Sequence, residues 1–89
     1  MNYLHWDGWA GPADTIVVTL DRAANIQIMD DSNFAGYRGG GSFRYYGGHQ
    51  RSSPVVLRPP HYGHWNLTVD LGGCTGVVHA GIRVIRNAA

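Results

Sequence analysis

One stretch of this 89-residue chain concentrates side chains that could bind a partner. Residues 33–48, NFAGYRGGGSFRYYGG, contain five aromatic residues, two Arg and six Gly. Aromatic rings can stack on bases or apolar groups, and guanidinium groups can pair with carboxylates or phosphates. A phosphate-binding loop of the G-x-x-x-x-G-K-[ST] type is excluded, because the chain contains no Lys. No helix is predicted after the stretch to bind a pyrophosphate, so it does not predict a dinucleotide site either.

Three interpretations of this stretch remain open. Its rings could close the end of a small core, form a surface for a ligand or peptide, or stack on the bases of a single-stranded nucleic acid. The formal net charge of the chain is only +1, which supplies little attraction for a polyanion or a membrane surface. We therefore do not expect nucleic acid or membrane as a partner, and we keep single-stranded nucleic acid as an alternative.

The histidines suggest a second kind of chemistry. His61 and His64 have H-x-x-H spacing, and His5 and the single cysteine, Cys74, could complete a set of zinc ligands. No C-x-x-C or H-E-x-x-H motif accompanies them, and nothing identifies a histidine that would activate the thiol of Cys74. We therefore predict no enzyme, no catalytic residue, no metal and no cofactor, with a small metal-dependent hydrolase using the histidines as an alternative.

An oxygen-rich cluster, DDSN at residues 30–33, precedes the aromatic stretch. Carboxylate and amide oxygens are ligands that Ca²⁺ accepts, although the spacing is not that of an EF-hand loop. The same residue types are common in turns, where their side chains bond the local backbone. Both interpretations of the cluster stay open.

The elements that must position these residues are strands. Apolar residues alternate with polar ones with period two, which is typical of strands with one buried face. In HWNLTVDL, residues 64–71, Trp65 begins an inward set, and His64, Asn66, Thr68 and Asp70 are predicted to face outward. No window has the spacing of an amphipathic helix, and the short connections DRAAN (21–25) and LGGCTG (71–76) predict hairpins. Further strands are predicted in DTIVVTL (14–20), NIQIM (25–29), PVVLR (54–58) and GVVHAGIRVI (76–85).

Composition agrees with an all-β chain. All seven basic residues are Arg and all six acidic residues are Asp, so the helix-favouring charged residues Lys and Glu are absent. The sequence predicts a small antiparallel β-sandwich of jelly-roll character with six to eight strands and little or no helix. We expect a single domain at residues 1–86 and a short C-terminal tail at 87–89.

Location and assembly follow from simpler features. A single cysteine, no signal-peptide pattern and no apolar run of about 20 residues predict a cytoplasmic protein without a membrane span. Apolar residues on the back faces of the strands suggest that part of one sheet is covered by the long 31–53 connection or by a second copy in a homodimer. These back-face residues are Val17, Val56, Val77 and Ile85.

Several motifs resemble those of a known family. They are NYLHWD (2–7), IMDDSNFAGYRGGGSFRYYGG (28–48) and SPVVLRPPHYGHWNLTVDLGG (53–73). Together they resemble DUF1883, a family of small bacterial domains of unknown function, over roughly residues 2–85. The resemblance implies a compact all-β domain and implies no activity or catalytic residue. The matching residues of the loop include Tyr37, Arg38 and the run Arg44–Gly48.

The function that the sequence favours is a non-enzymatic binding or protein-interaction module. Its surface is predicted to combine the 30–51 segment with the His61–Trp65 turn, because Arg and Tyr are enriched at the energetic centres of interfaces. The partner would be a protein or a small-molecule ligand that the sequence does not identify. The predicted contact residues are Tyr37, Arg38, Arg44, Tyr45, Tyr46 and His64.

Overall fold

The structure, a computed structural model, describes residues 3–74 and 76–86. The proposed tail at 87–89 lies outside the described residues. Seven strands and one helix are present in the described part of the chain. The elements are β1 (Tyr3–Ala10), β2 (Asp14–Leu20), β3 (Ala24–Met29), α1 (Asp31–Arg38), β4 (Tyr46–Gln50), β5 (Val55–Leu57), β6 (Gly63–Asp70) and β7 (Ala80–Arg86).

The strands form two antiparallel sheets that pack as a sandwich. The larger sheet has the order β1-β6-β3-β4, and the smaller sheet has the order β5-β2-β7. The predicted all-β sandwich is confirmed. In the larger sheet β6 lies at the centre, with Leu67 opposite both Trp6 on β1 and Ile28 on β3.

One apolar core joins the two sheets, and it follows from the period-two pattern. Trp65, Leu67 and Val69 on β6 face Ile16 and Val18 on β2, and all five side chains are buried. Strands with one apolar face bury it against another sheet, so the alternation in the sequence fixes which face each strand turns inward.

The two predicted hairpins, at 21–25 and 71–76, are wrong. Strand β2 belongs to the smaller sheet and β3 to the larger one, and β6 and β7 are divided in the same way. Each connection therefore carries the chain from one sheet to the other, as in a jelly roll. Gly72 and Gly73 have positive φ angles and do reverse the chain after β6, but a reversal does not require the two strands to pair.

The helix α1 corrects the prediction that this region is a loop. Asp30 caps it, because its Oδ1 accepts a hydrogen bond from the backbone N–H of Asn33 at 2.8 Å. The oxygen-rich cluster therefore begins a helix, which is the local-backbone role expected of Asp and Asn. The helix was missed because it has only eight residues and includes Gly36, and because only Tyr37 in it is buried.

Helix α1 covers part of the outer face of the larger sheet. Asn66, Thr68 and Asp70 lie on that face, as predicted, but they are buried and not solvated. The long connection thus folds back over the larger sheet and not over the back-face residues that it was expected to cover. Of these, Val17 is buried, and Val56, Val77 and Ile85 are exposed. In the described residues no helix is long and apolar enough to cross a membrane.

Candidate functional site

A groove of about 610 Å³ lies at one end of the sandwich, beside the start of α1. Three parts of the chain form it, namely the junction of β3 and α1, the segment before β4, and the turn before β6. We call it the Arg44 groove. It is lined by Met29, Asp30, Asn33, Phe43, Arg44, Tyr45, Tyr46, His61 and Trp65.

The helix cap holds the central segment of the groove in place. The side-chain nitrogen of Asn33 donates to Asp30 Oδ1 at 2.9 Å, so both polar side chains are fixed at the start of α1. The Oδ1 atom of Asn33 then accepts a hydrogen bond from the backbone N–H of Arg44 at 2.7 Å. The oxygen-rich cluster at residues 30–33 therefore holds the backbone of Arg44 against the start of α1.

Aromatic rings form the opposite wall. Tyr46 meets Trp65 edge to face with ring centroids 6.0 Å apart, and the His61 ring lies 4.9 Å from the Trp65 ring. The indole N–H of Trp65 donates to the carbonyl oxygen of His61 at 3.1 Å, which ties the turn before β6 to the wall. Tyr45 and Tyr46 remain 45% and 53% exposed, so their rings can contact a partner.

Gly47 is required by the path of the chain out of the groove. Its φ angle is +118°, and a Cβ atom there would collide with the backbone carbonyl oxygen of Ile26 on β3. A side chain at this position would push β4 away from β3 and move the neighbouring Tyr46. The Gly of the Tyr-Tyr-Gly-Gly run therefore sets the position of the ring beside it.

The charge of the groove comes from Arg44. Its side chain is exposed, and it takes part in no ion pair among the described residues. By contrast, Arg38 lies over the Phe34 ring at 5.5 Å, and Arg86 pairs with Asp14 at 3.3 Å. Among the described residues, Asp30 is the one acidic residue that lines the groove, and it is engaged in the helix cap.

The structure brings together three of the six predicted contact residues, Arg44, Tyr45 and Tyr46, with the predicted His61–Trp65 turn. Arg38 is exposed on α1 and does not line the groove. The named contact residues did not include Met29, Asp30, Asn33 or Phe43, although the last three lie within the predicted 30–51 segment. The cap pattern of Asp30 and Asn33 was the one signal that could have placed them there.

Tyr37 lies in the interior, 6% exposed, and not at the surface. Its hydroxyl donates to Asp70 Oδ2 at 2.6 Å, and Asp70 Oδ1 also accepts from Asn25 Nδ2 and from the backbone N–H of Gly72. Burial raises the pKa of the Tyr37 hydroxyl, and the hydrogen bond to Asp70 raises it further, so the hydroxyl stays a donor. Tyr37 therefore fastens α1 to the larger sheet.

His64 lies on the outer face of the larger sheet, between two carboxylates. Its Nδ1 is 2.7 Å from Asp31 Oδ1, and its Nε2 is 2.9 Å from Asp7 Oδ2. The hydrogen bond to Asp31, followed by the one to Asp7, raises the pKa of His64. The pKa of Asp31 is lowered, first by the hydrogen bond from Asn66 and then by the one from His64. His64 thus links β1, β6 and the first turn of α1.

These shifts predict a pH-dependent link. A histidine whose pKa is raised on folding stabilises the fold at pH values below its unfolded pKa of 6.5, and this contribution is lost as pH rises through the folded pKa. The excess stability of wild type over His64→Gln should therefore shrink between about pH 5.5 and pH 8.5. Chemical denaturation at both pH values measures this difference. His49→Gln is the control, because the His49 ring contacts the uncharged amide of Asn25 and pairs with no carboxylate among the described residues. An excess that stays constant with pH would contradict the proposed pairing.

The histidines proposed as zinc ligands do not converge. His5 bonds Asn66 and stacks on Phe34, His64 lies between its two carboxylates, and His61 packs on Trp65. Across residues 3–74 and 76–86, no three His, Cys, Asp or Glu side chains are arranged to hold a metal ion. The geometry therefore gives no support to a metal-dependent hydrolase built on these residues.

In the described residues, the strands form a two-sheet sandwich with one capped helix over the larger sheet. The chain belongs to the DUF1883 family, a domain of unknown function, whose family model matches residues 1–88. A search of curated proteins and a search of solved structures each gave no significant match. The family assignment confirms the resemblance of the sequence motifs and assigns no activity.

Proposed function

We propose that this domain is a non-enzymatic protein-interaction module whose Arg44 groove binds a peptide segment carrying a carboxylate. The observation that carries the proposal is that exposed Arg44, Tyr45 and Tyr46 share one groove with His61. Guanidinium groups bind carboxylates through two parallel hydrogen bonds, and Tyr and Arg supply much of the binding energy at interfaces.

The dimensions of the groove suit a short segment of chain. Ligand pockets occupy about 300–1,000 Å³, and the groove, at about 610 Å³, falls in this range. Its Tyr rings are half exposed, so it is an open channel along which a peptide could lie with its carboxylate on Arg44. Its apolar contacts would come from Tyr46 and the Trp65 wall.

Addition of a strand to β4 is a poorer way to bind the peptide. Strand β4 is at the edge of the larger sheet, but Gly47 and Gly48 have φ angles of +118° and +144°. Such angles distort the ladder of backbone groups that an added strand would need. Side-chain recognition in the groove is therefore the proposed mode.

A nucleic acid fits the exposed rings less well. Of the five aromatic residues in 33–48, Tyr45 and Tyr46 are exposed, Tyr37 is buried, and Phe34 and Phe43 are partly buried. A base-stacking surface requires several accessible rings along one track together with basic groups on the backbone. Among the described residues that line the groove, two adjacent exposed tyrosines and one arginine provide less than this.

We further propose that the module acts in the cytoplasm. The thiol of Cys74 is free and exposed, and exposed free thiols persist where the surroundings are reducing. A second copy of the chain is a further proposed partner, at the exposed Val56 and Ile85 of the smaller sheet.

Selection from a random peptide library tests the proposal. Panning of immobilised wild-type protein against displayed peptides with free C termini should enrich sequences that contain Asp, Glu or a required terminal carboxylate. The affinity of selected peptides should fall at least about tenfold in Arg44→Ala and in Tyr46→Ala, as for interface hot spots. Arg51→Ala is the matched control, because Arg51 is exposed in the same segment and lies outside the groove.

Two outcomes would contradict the proposal. One is enrichment of peptides whose binding is the same for wild type and Arg44→Ala. The other is failure to enrich any peptide while a single-stranded oligonucleotide gives saturable, salt-sensitive fluorescence anisotropy that depends on Tyr45 and Tyr46.

A further inference from the structure

The outer face of the larger sheet ends in two exposed aromatic rings that α1 does not cover. Trp9 is 57% exposed and Tyr62 is 69% exposed, and they are among the most exposed large hydrophobic side chains of the described residues. Their rings stack with centroids 5.9 Å apart and an angle of 28° between their planes. The two nearly parallel rings form an exposed aromatic pair, which we call the Trp9 platform.

The platform is held by its surroundings. A Cβ atom at Gly11 would lie 3.1 Å from both Cα and Cβ of Tyr62, so the absence of a side chain at Gly11 lets the tyrosine approach β1 closely. The backbone carbonyl oxygen of Trp9 accepts a hydrogen bond from Arg86. On the other side, the ring of Trp9 lies 5.4 Å from the ring of His64.

Hydrogen-bonding groups border the rings. Asp7 points to the same face of β1 as Trp9, two residues along the strand, and its Oδ2 accepts from His64 Nε2. Asp7 Oδ1 takes part in no hydrogen bond within the described residues. The Asp31 carboxylate lies across His64, where it also accepts from Asn66 at 2.7 Å. Carboxylate oxygens therefore stand beside an apolar surface at which a ligand would lie flat.

The charges at this border select among ligands. The imidazole of His64 lies between the two carboxylates and faces Trp9, so an organic cation would have to compete with His64 for these carboxylates. An anion would meet the carboxylates of Asp7 and Asp31. A neutral ligand with an apolar face and hydroxyl groups at its rim does not compete with His64 and is not repelled by the carboxylates, and its hydroxyls can donate to the carboxylate of Asp7.

We propose that the Trp9 platform is a saccharide-binding site, at which the C–H face of a pyranose ring stacks on Trp9 and Tyr62 and a hydroxyl donates to Asp7. The site is separate from the Arg44 groove, although one turn supplies both. His61 faces the groove and Tyr62 faces the platform. Binding at one site therefore does not require the residues of the other.

NMR titration of the full chain tests the proposal with named probes. The probes are cellohexaose, maltohexaose and chitohexaose, with tetramethylammonium chloride as the organic-cation arm. We expect at least one hexasaccharide to give saturable shifts of the Trp9 indole N–H and of the Tyr62 amide. Its affinity should fall at least about tenfold in Trp9→Ala and in Tyr62→Ala, because removal of a central aromatic contact has effects of this size.

A control and a conservative variant keep the test independent of folding. Tyr45→Ala removes an exposed ring from the Arg44 groove and should leave saccharide affinity unchanged. Asp7→Asn keeps an oxygen acceptor and should weaken binding less than Asp7→Ala does. Retained dispersion of the amide spectrum shows that each variant is folded.

Three results would overturn the proposal. They are the absence of shifts with all three hexasaccharides, saccharide affinity that survives Trp9→Ala, and saturation by tetramethylammonium when the saccharides give none. Because the peptide selection depends on Arg44 and the saccharide titration on Trp9, failure of one proposal leaves the other unaffected.

Discussion

Replacement of Asp70 by Ala should destabilise the domain by about 2–4 kcal/mol, because each buried donor left without an acceptor costs roughly 1–3 kcal/mol. The carboxylate of Asp70 is 3% exposed and accepts from the Tyr37 hydroxyl, the Asn25 side chain and the Gly72 backbone. Removal leaves the Tyr37 hydroxyl of α1 and the Asn25 side chain of β3 without this acceptor. Unfolding free energies of natural domains are about 5–15 kcal/mol, so the loss would be a large fraction of the total.

Urea denaturation of the variant measures this effect, and Tyr37→Phe refines it. Loss of the single hydrogen bond from Tyr37 to a charged acceptor should cost about 1.5–3 kcal/mol. Tyr45→Phe is the matched control, since Tyr45 is exposed and its hydroxyl makes no hydrogen bond among the described residues, and it should change stability by less than about 0.5 kcal/mol. Equal stabilities for Tyr37→Phe and Tyr45→Phe would contradict the role given to Asp70.

Replacement of Gly47 by Ala should have an effect of similar size and should also impair the Arg44 groove. Positive φ disfavours any side chain, at a cost of about 1–3 kcal/mol, and the new methyl group would also collide with the carbonyl oxygen of Ile26. We expect a total loss of about 2–4 kcal/mol, with faster hydrogen exchange in β4 than in β6. Peptides selected on the wild type should bind the variant at least about tenfold more weakly, because Tyr46 moves with β4.

The neighbouring glycine separates collision from backbone strain. Gly48 has a φ angle of +144°, and a Cβ atom there would meet no atom within 4 Å. Gly48→Ala should therefore cost only the strain, about 1–3 kcal/mol, and should leave the exchange rates of β3 unchanged. If both variants lose the same stability and keep the same peptide affinity, Gly47 does not position the groove.

The strands could be predicted because their physics is local. Alternation in HWNLTVDL shows directly which residues of β6 face the core, and Trp65, Leu67 and Val69 are buried as that pattern requires. Which strands pair with each other, by contrast, depends on contacts between residues that are far apart in the sequence. Paired glycines such as Gly72 and Gly73 reverse the chain whether the next strand joins the same sheet or the opposite one, so hairpins were predicted where the chain changes sheets.

The alternation of apolar and polar residues did not predict helix α1 or the burial of the polar residues of β6 beneath it. An eight-residue helix with a central glycine has little propensity of its own, and it is held by the cap of Asp30 and by the docking of Tyr37 on Asp70. Because polar side chains are usually exposed, the sequence pattern predicts that the polar face of β6 contacts water. Asn66, Thr68 and Asp70 are buried because hydrogen bonds replace water at each of them.

The part of the candidate site that could be predicted consists of residues that are neighbours in the sequence. Arg44, Tyr45 and Tyr46 are adjacent in sequence, so an extended segment presents them together at the end of the sandwich. Tyr37 and His64 were predicted as contact residues from their residue types alone. Helix α1 turns Tyr37 inward, and strand alternation places His64 on the outer face of the sheet. Residue type suggested which side chains could bind a partner, but the tertiary fold determines which of them lie at the groove.

The shift map of a bound peptide tests the central claim most directly. Wild-type protein labelled with ¹⁵N would be titrated with a peptide selected for binding, and backbone amides and the Arg44 Nε–Hε resonance would be followed. We predict saturable shifts at residues 43–46, at His61 and at the Arg44 side chain, with the outer face of β2 and β7 unchanged. Saturable binding that shifts β2 and β7 while Arg44 and Tyr46 stay unchanged would contradict the account.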